Sequence, residues 1–429
     1  MVLKKSRKVG IIGSGIAGLA CGYFLLKEGF EVVIYEKDQE LGGLLKTTTT
    51  QKNVRIEKFY HHFFKTDTEL LELIKDIGLN PKVIWQKSTV SFYRNHQFSN
   101  LNTPLDLLKL PFISFTSRLR FGIATLILKH ATNLNRYESM TAKELVSRCF
   151  GKDIWDKIWS PLFEGKFGIY NDKIGAAWLW SRIKTRTSSR RNGKETLGYI
   201  KGSLWELVSA LKENINNKGG KIITGKEIKS IRSLKDKLII GNEEFDFIIS
   251  TIPLNDFIKI APLTTKEKVR LGEISYLGAI STLIELKSKQ TNYYWNNVLD
   301  SKIPFKGIIE HTNLVSPEEY KNSHLLYLSH YLPNNSAFFK SNDKEIKNTY
   351  LNYLEEIIPN IRKVVISIQV FKESNAQPVI YSNFRPLHNS TSLKNLFMTS
   401  MAHTYPFDRG MNEAIKEAKK VVRLINSDN

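Results

Sequence analysis

The chain opens on a short apolar run at residues 9–12, then a turn of small residues, then residues 16–28, where small and apolar side chains crowd together as in a buried helix. Gly29 ends that helix, and the β-branched run at residues 31–36 completes a strand, helix, strand unit. Past residue 50 the pattern changes. Residues 69–77 have the spacing of an amphipathic helix, and residues 83–98 carry strand-like alternation. Residues 141–190 read as helical and aromatic-rich, with Trp155, Trp159, Trp178 and Trp180. A helix is predicted from the turn at 198–203 through Asn214, then strands at 221–224, 238–241 and 245–251. Residues 276–369 read mainly as strands with one helix near 344–358. A strand at 396–399 and a helix at 410–425 close the chain.

Residues 104–130 form a long apolar stretch that Lys109, Arg118 and Arg120 break into pieces at 110–117 and 121–128. Each piece is far shorter than the ~20 residues a bilayer-spanning helix needs. Two readings are open: a buried helical subdomain, or a segment lying in a membrane interface, apolar face down and basic residues at headgroup level.

At 429 residues, two or three domains are expected, since ~150 residues per domain is usual. A hydrophobic share of 41% with 24% charged residues is that of a folded globular protein. The 63 Lys and Arg outnumber the 42 Asp and Glu, a net charge of +21. That sign attracts polyanions or an anionic membrane surface. The lysines are dispersed and no helix-turn-helix, zinc finger or RNA-binding signature is visible, so nucleic acid is not expected. A genome that favours Lys, Asn and Ile would produce much of the same bias. Only two cysteines occur, Cys21 and Cys149, which indicates neither a disulfide framework nor a cysteine metal site and fits a reducing, cytoplasmic compartment. The basic residues 1–8 read as the lead-in to the first strand rather than as a secretory signal.

Between the first strand and first helix stands Gly13-Ser14-Gly15-Ile16-Ala17-Gly18. The first glycine permits a tight turn, the second lets the backbone reach a pyrophosphate, and the third lets helix and strand pack closely. The helix N-terminus supplies free N–H groups and partial positive charge. Glu36, followed by Lys37, ends the second strand where a carboxylate accepts from the ribose hydroxyls of a dinucleotide. A second glycine pair follows in Leu41-Gly42-Gly43-Leu44-Leu45-Lys46-Thr47.

With that second pair the chain resembles the superfamily of flavin amine oxidases, protoporphyrinogen oxidases, phytoene desaturases and UDP-galactopyranose mutases. The resemblance implies FAD, with the loop carrying Gly42, Gly43, Leu44, Lys46 and Thr47 against its diphosphate and flavin. Many members carry Arg after the pair; here Leu44 stands there and Lys46 is the substitute. Three further segments carry the likeness. Residues 202–224 with Glu227 and Ile228 are similar to the helix and strand that bring backbone to the adenine. Residues 245–253 end in the Thr251-Ile252-Pro253 of the superfamily strand. Residues 395–401 and 405–414, with Asp408, Arg409, Gly410 and Met411, resemble the C-terminal flavin motif, where a helix N-terminus points at the pyrimidine edge of the flavin. Met401 stands where many relatives have an acidic ribityl contact, so either Asp408 takes that role or the contact is absent.

The resemblance also brings Glu57-Lys58-Phe59-Tyr60-His61-His62-Phe63-Phe64 near the isoalloxazine, with Tyr60 a cofactor contact and His61 and His62 as acid/base or polar groups. Packing beside aromatics is the plainer account of the two histidines. No acidic or cysteine partner has metal-ligand spacing, so no metal is expected. Glu310, His311 and Asn313 end an apolar strand as a polar cluster, read either as the wall of a substrate pocket or as a strand followed by a turn.

The expected fold is α/β: a discontinuous Rossmann-like FAD-binding domain of residues 1–65, 195–265 and 370–429, and a mixed α+β substrate domain of 66–194 and 266–369. The expected function is FAD-dependent oxidation or desaturation of an apolar or amphipathic small molecule, at the cytoplasmic face of a membrane if residues 104–130 lie on one. Two alternatives stand beside it. One is a flavin-dependent sugar-nucleotide isomerase, with Arg182, Arg186, Arg190 and Arg191 around a diphosphate; the other is a non-catalytic flavin-bound scaffold in a glycoconjugate pathway.

Overall fold

The structure is a computed structural model that describes residues 6–191 and 194–427. Its first strand, β1 (Lys8–Ile12), lies at the centre of a five-stranded sheet with β2 (Glu31–Tyr35), β3 (Lys221–Ile223), β4 (Phe247–Ser250) and β5 (Leu396–Met398), in the order β3-β2-β1-β4-β5. Every pairing in it is parallel. Helices cover parallel sheets on both faces, which is why these strands are continuous apolar runs and why Val32, Val33 and Ile34 are all buried. The crossover from β1 to β2 is helix α1 (Ile16–Lys27), which packs against helix Trp205–Asn217 and the final helix, Met411–Ser427.

A second sheet of seven strands runs in the order Val365–Pro378, Tyr276–Leu286, His324–Leu332, Gly307–Glu310, Trp295–Val298, Val90–Arg94 and Gln97–Asn100. All eleven residues of Tyr276–Leu286 are buried. A helical body stands beside it, containing α2 (Phe115–His130), α3 (Ser160–Phe167) and α4 (Ala176–Ser188) around Phe150, Trp155, Phe163, Phe167, Trp178 and Trp180. The final helix, Met411–Ser427, is α5.

Three expectations are corrected. The alternation over residues 83–98 belongs to two sheets: Val83–Lys87 pairs with Lys194–Ile200, whereas Val90–Arg94 enters the seven-stranded sheet. A period of two shows that a strand exists and says nothing about its partner. The domain boundary expected at residue 370 falls inside one strand, because Val365–Pro378 pairs with Tyr276–Leu286 as far as Pro378. Residues 104–130 satisfy neither reading alone. Thr103 and Ser114 cap two separate helices, and α2 turns Ala124 and Leu128 inward while Phe115, Ile123 and Ile127 stay about 60% exposed. Among the described residues no helix is long and apolar enough to cross a membrane.

Candidate cofactor and reaction site

The glycine turn has the shape its residues demand. Gly13 has φ +101°, and a Cβ there would lie 2.7 Å from Thr251 Oγ1. A Cβ on Gly18 would lie 2.0 Å from the Gly13 carbonyl oxygen, so α1 sits on the turn at a distance only glycine allows. Gly15 differs: its backbone is extended (φ −64°, ψ 175°) and a Cβ there would meet nothing within 4 Å. Open space therefore stands over the first turn of α1, where no side chain caps the helix and no acidic residue occupies its first turn. Gly42 N–H donates to Ser14 O at 3.0 Å, and a Cβ on Gly43 would lie 3.2 Å from Gly15 Cα, so both glycine loops border one crevice. Glycine-lined backbone, uncapped amides and vacant volume fit a dinucleotide diphosphate.

Glu36 closes the rim, buried, its Oε2 accepting from Ser14 N–H (2.9 Å) and Oγ (2.6 Å) and its Oε1 from Asp38 N–H (3.0 Å). Thr251 serves the turn, donating from Oγ1 to Ile12 O at 3.0 Å and to Gly13 O at 3.2 Å. Lys46 is paired with Asp38, Thr47 donates to Glu40, Lys37 is exposed and Leu44 half-buried. Ile228 packs into the core under the sheet, and Pro253 precedes helix Leu254–Ile260.

The segment ending in the two histidines is anchored by a buried carboxylate. Glu57 accepts both Tyr199 OH (2.9 and 2.7 Å) and Leu204 N–H, and its own carbonyl accepts Tyr327 OH at 2.6 Å. Burial raises the Glu57 carboxyl above its usual range against those hydrogen bonds. From that anchor Tyr60 reaches Ser329 Oγ at 3.2 Å and meets Trp295 edge-on. His61 Nδ1–H donates to Phe59 O at 2.7 Å, and His62 Nδ1 lies 2.9 Å from Tyr294 OH with its ring edge-on to Phe64, Tyr294 and Trp295. Burial, then the nearby Arg409, lowers His61 to about 4, and burial, then Arg186, pulls His62 well below its ordinary range. Both imidazoles are neutral at physiological pH.

Beside them is a cluster the sequence did not reveal. Asp408 Oδ2 contacts Lys166 Nζ at 2.9 Å and Arg182 Nη1 at 3.1 Å, while its Oδ1 accepts from Trp178 Nε1 at 3.2 Å and Gln377 Nε2 at 3.4 Å. Arg409 donates to Gln377 Oε1 (3.1 Å) and Tyr331 OH (2.6 Å). Asp408, the candidate for a ribityl contact, is instead the anionic centre of this network. Gly410 then precedes Met411, the first residue of α5. Arg182 and Arg186 share a face of α4 at i, i+4, a signal readable in sequence. Lys166, Gln377 and Tyr331 carried none. Arg186 is neutralised by both oxygens of Glu195 at 3.1 Å, and Arg190 is half-buried on the strand that follows; the side chain of Arg191 lies outside the described residues.

Of the two readings of Glu310, His311 and Asn313, the hydrogen bonds fit the strand followed by a turn, with the three residues anchoring a loop. Glu310 accepts from Gln290 N–H (2.8 Å) and Thr291 N–H (2.5 Å), Asn313 donates to Thr291 O and Tyr293 O, and His311 Nε2 meets Tyr320 OH at 2.6 Å. A polar cluster closing a strand spends its hydrogen bonds on the turn that follows.

Asp67 gives a test of this region's electrostatics. Its Oδ2 accepts Phe64 N–H at 2.9 Å, and burial, then Glu413, lifts its carboxyl to about 7. A folded pKa raised above the unfolded one contributes stability below the ordinary carboxylate range and loses it as pH rises through about 7. Asp67→Asn keeps the acceptor and removes the titration. We expect it to stabilise the protein by on the order of 2 kcal/mol at pH 8 and by almost nothing at pH 4, read by denaturant melts at both values.

A family model described as flavin containing amine oxidoreductase matches residues 16–426. Among curated relatives, 15-cis-phytoene desaturase of Synechococcus elongatus is 19% identical over 284 residues, 59% of this chain and 60% of that one. Mitochondrial protoporphyrinogen oxidase of Nicotiana tabacum is 26% identical over 209 residues, 46% and 40% of the two chains. The match thus spans less than two thirds of either relative. Among solved structures, an oxidoreductase from Methanosarcina mazei superposes with TM-score 0.77 at 16% identity, over 97% of this chain and 100% of that one. Reduced UDP-galactopyranose mutase superposes with TM-score 0.75 at 14% identity, over 99% and 96%.

Proposed function

The chain belongs to the flavin containing amine oxidoreductase family, with FAD as its cofactor, and from that premise we propose that it oxidises or desaturates an apolar or amphipathic small molecule. The observation that carries this reading is the character of the groups around the two histidines. His61 and His62 are neutral, His62 is walled by Phe64, Tyr294 and Trp295, and Tyr60 packs on the same Trp295, which suits a carbon chain or ring system better than a sugar. When bound, FAD supplies the two-electron acceptor for a hydride leaving a substrate carbon. The protein's own contribution is binding and exclusion of water. The first-turn amides of α1 would hold the diphosphate, Glu36 the ribose hydroxyls, and Gly42 and Gly43 the close backbone approach. His61 donates through Nδ1, which leaves Nε2 a lone pair directed away from the Phe59 carbonyl. The division of labour between a cofactor-binding and a substrate-binding domain belongs to this reading too.

The test is anaerobic addition of amphipathic polyenes and tetrapyrrole precursors to the yellow protein. Bleaching of the flavin with stoichiometric consumption of an added acceptor supports oxidation. Turnover on pre-reduced flavin without net electron consumption supports the isomerase. A flavin that reduces under light and answers no substrate supports the scaffold.

A membrane location is part of the proposal, at the cytoplasmic face of an anionic bilayer. Phe115, Leu119, Ile123, Leu126 and Ile127 are exposed along one face of α2, on a chain of net charge +21. The triple variant Phe115→Ser/Ile123→Ser/Ile127→Ser is expected to keep the wild-type melting temperature and to lose at least about tenfold in binding to phosphatidylglycerol vesicles, since each fully buried apolar side chain is worth ~1.5–3 kcal/mol. Unchanged sedimentation with vesicles removes this part of the proposal.

A further inference from the structure

We propose that the cation cluster at the start of α5 is a subsite for one anionic group, carboxylate or phosphate, at the polar end of an otherwise apolar substrate. The inference rests on the oxidoreductase reading and gives its substrate a chemical class.

Lys166 and Arg182 pair with a single carboxylate, Asp408, whose two oxygens are already engaged by four donors, and Arg409 is the next residue of the chain. Arg409 is left with neutral acceptors, Gln377 Oε1 and Tyr331 OH, and no carboxylate lies within ion-pairing distance of it among the described residues. Glu413, the next acid on α5, is pushed by burial toward its neutral form. The neighbouring Arg186 differs, being matched by Glu195 on both oxygens. Three cations thus share one carboxylate, which reaches Arg409 only through space, and this excess of positive charge leaves room for an anion, because an unmatched charge is costly and a planar guanidinium donates two parallel hydrogen bonds to carboxylate or phosphate. Access is open: the side chains of Lys166 and Arg182 remain 23% and 35% exposed, whereas Asp408 between them is 10% exposed. The cluster lies next to the aromatic groups, since Arg409 binds Tyr331 and Tyr60 reaches Ser329, two positions away on the same strand. One ligand thus meets apolar surface along its body and positive charge at one end.

Calorimetric titration of the yellow holoprotein with dodecanoate, dodecyl phosphate and dodecanol, each below its micelle-forming concentration, tests this. Both anions are expected to bind at least about tenfold more tightly than the alcohol, the better of them identifying the natural group. Arg409→Gln and Arg182→Gln are each expected to bring the anions toward the alcohol's affinity with FAD retained, while the exposed Lys173→Gln changes nothing. Equal binding of all three probes, or of none, overturns the proposal. So does an Arg409→Gln protein that loses FAD while Arg182→Gln keeps the anion preference, which assigns Arg409 to the cofactor. A tyrosinate absorbance that disappears in Tyr331→Phe, with no anion preference in the wild type, also overturns it by making Tyr331 the counter-charge. A colourless preparation is a different result, since it removes the flavin reading beneath.

Discussion

Gly15→Val is expected to give a folded protein without colour. Residue 15 has extended backbone that any amino acid adopts, and a Cβ there meets nothing within 4 Å, so the empty fold accepts the side chain without strain. The same volume is where a diphosphate would rest against the amides of α1. A valine fills it and holds the ligand away from the N–H groups that neutralise it. FAD affinity should fall by at least about 100-fold, near 2.7 kcal/mol, with melting of the apoprotein unchanged. Gly18→Ala makes the contrast. Its Cβ would lie 2.0 Å from the Gly13 carbonyl oxygen, so α1 must lift from β1, and the apoprotein itself should lose about 2 kcal/mol of stability. Absorbance of the purified proteins and thermal melts of their apo forms read both effects. A yellow Gly15→Val protein with wild-type FAD affinity would sink the assignment of this crevice.

That pair of glycines also shows why part of the molecule was readable in advance. Gly13 answers to a positive φ and Gly18 to the Gly13 carbonyl within six residues, and Gly15 to the ligand its open space admits, so the pattern is local and was readable. The continuous apolar strands and the exposed stripe of α2 were readable for a similar reason, since periodicity encodes what faces the core. Partners distant in sequence were not. Asp408 meets Lys166 from α3 and Arg182 from α4, each more than two hundred residues away, and no spacing announces such a meeting. Glu310, His311 and Asn313 stayed open for another reason. Their polar density was plain, but whether they face a cavity or the turn they close depends on the 290–293 segment arriving beside them.

Asp408→Asn is expected to destabilise the protein by about 3 kcal/mol, because it leaves Lys166 and Arg182 against a neutral amide and removes the negative charge nearest Arg409. Burial alone would raise the Asp408 carboxyl, yet Lys166, Arg182 and Arg409 hold it far below the ordinary carboxylate range. A depressed folded pKa contributes stability that is present above the unfolded value of ~3.9 and is lost only as pH falls below it. The deficit of the asparagine variant should therefore be constant from pH 5 to 8 and shrink only in stronger acid, whereas that of a variant that merely disturbs packing would show no such recovery. Removing one cation as well, in Asp408→Asn/Lys166→Met, should return part of the loss, since the methionine fills the lysine's stem without its charge. Denaturant melts of the wild type, the single and the double variant across that pH range decide it. A single variant within about 1 kcal/mol of wild type, or a double variant less stable than the single, would mean that the carboxylate does not hold the three cations in place.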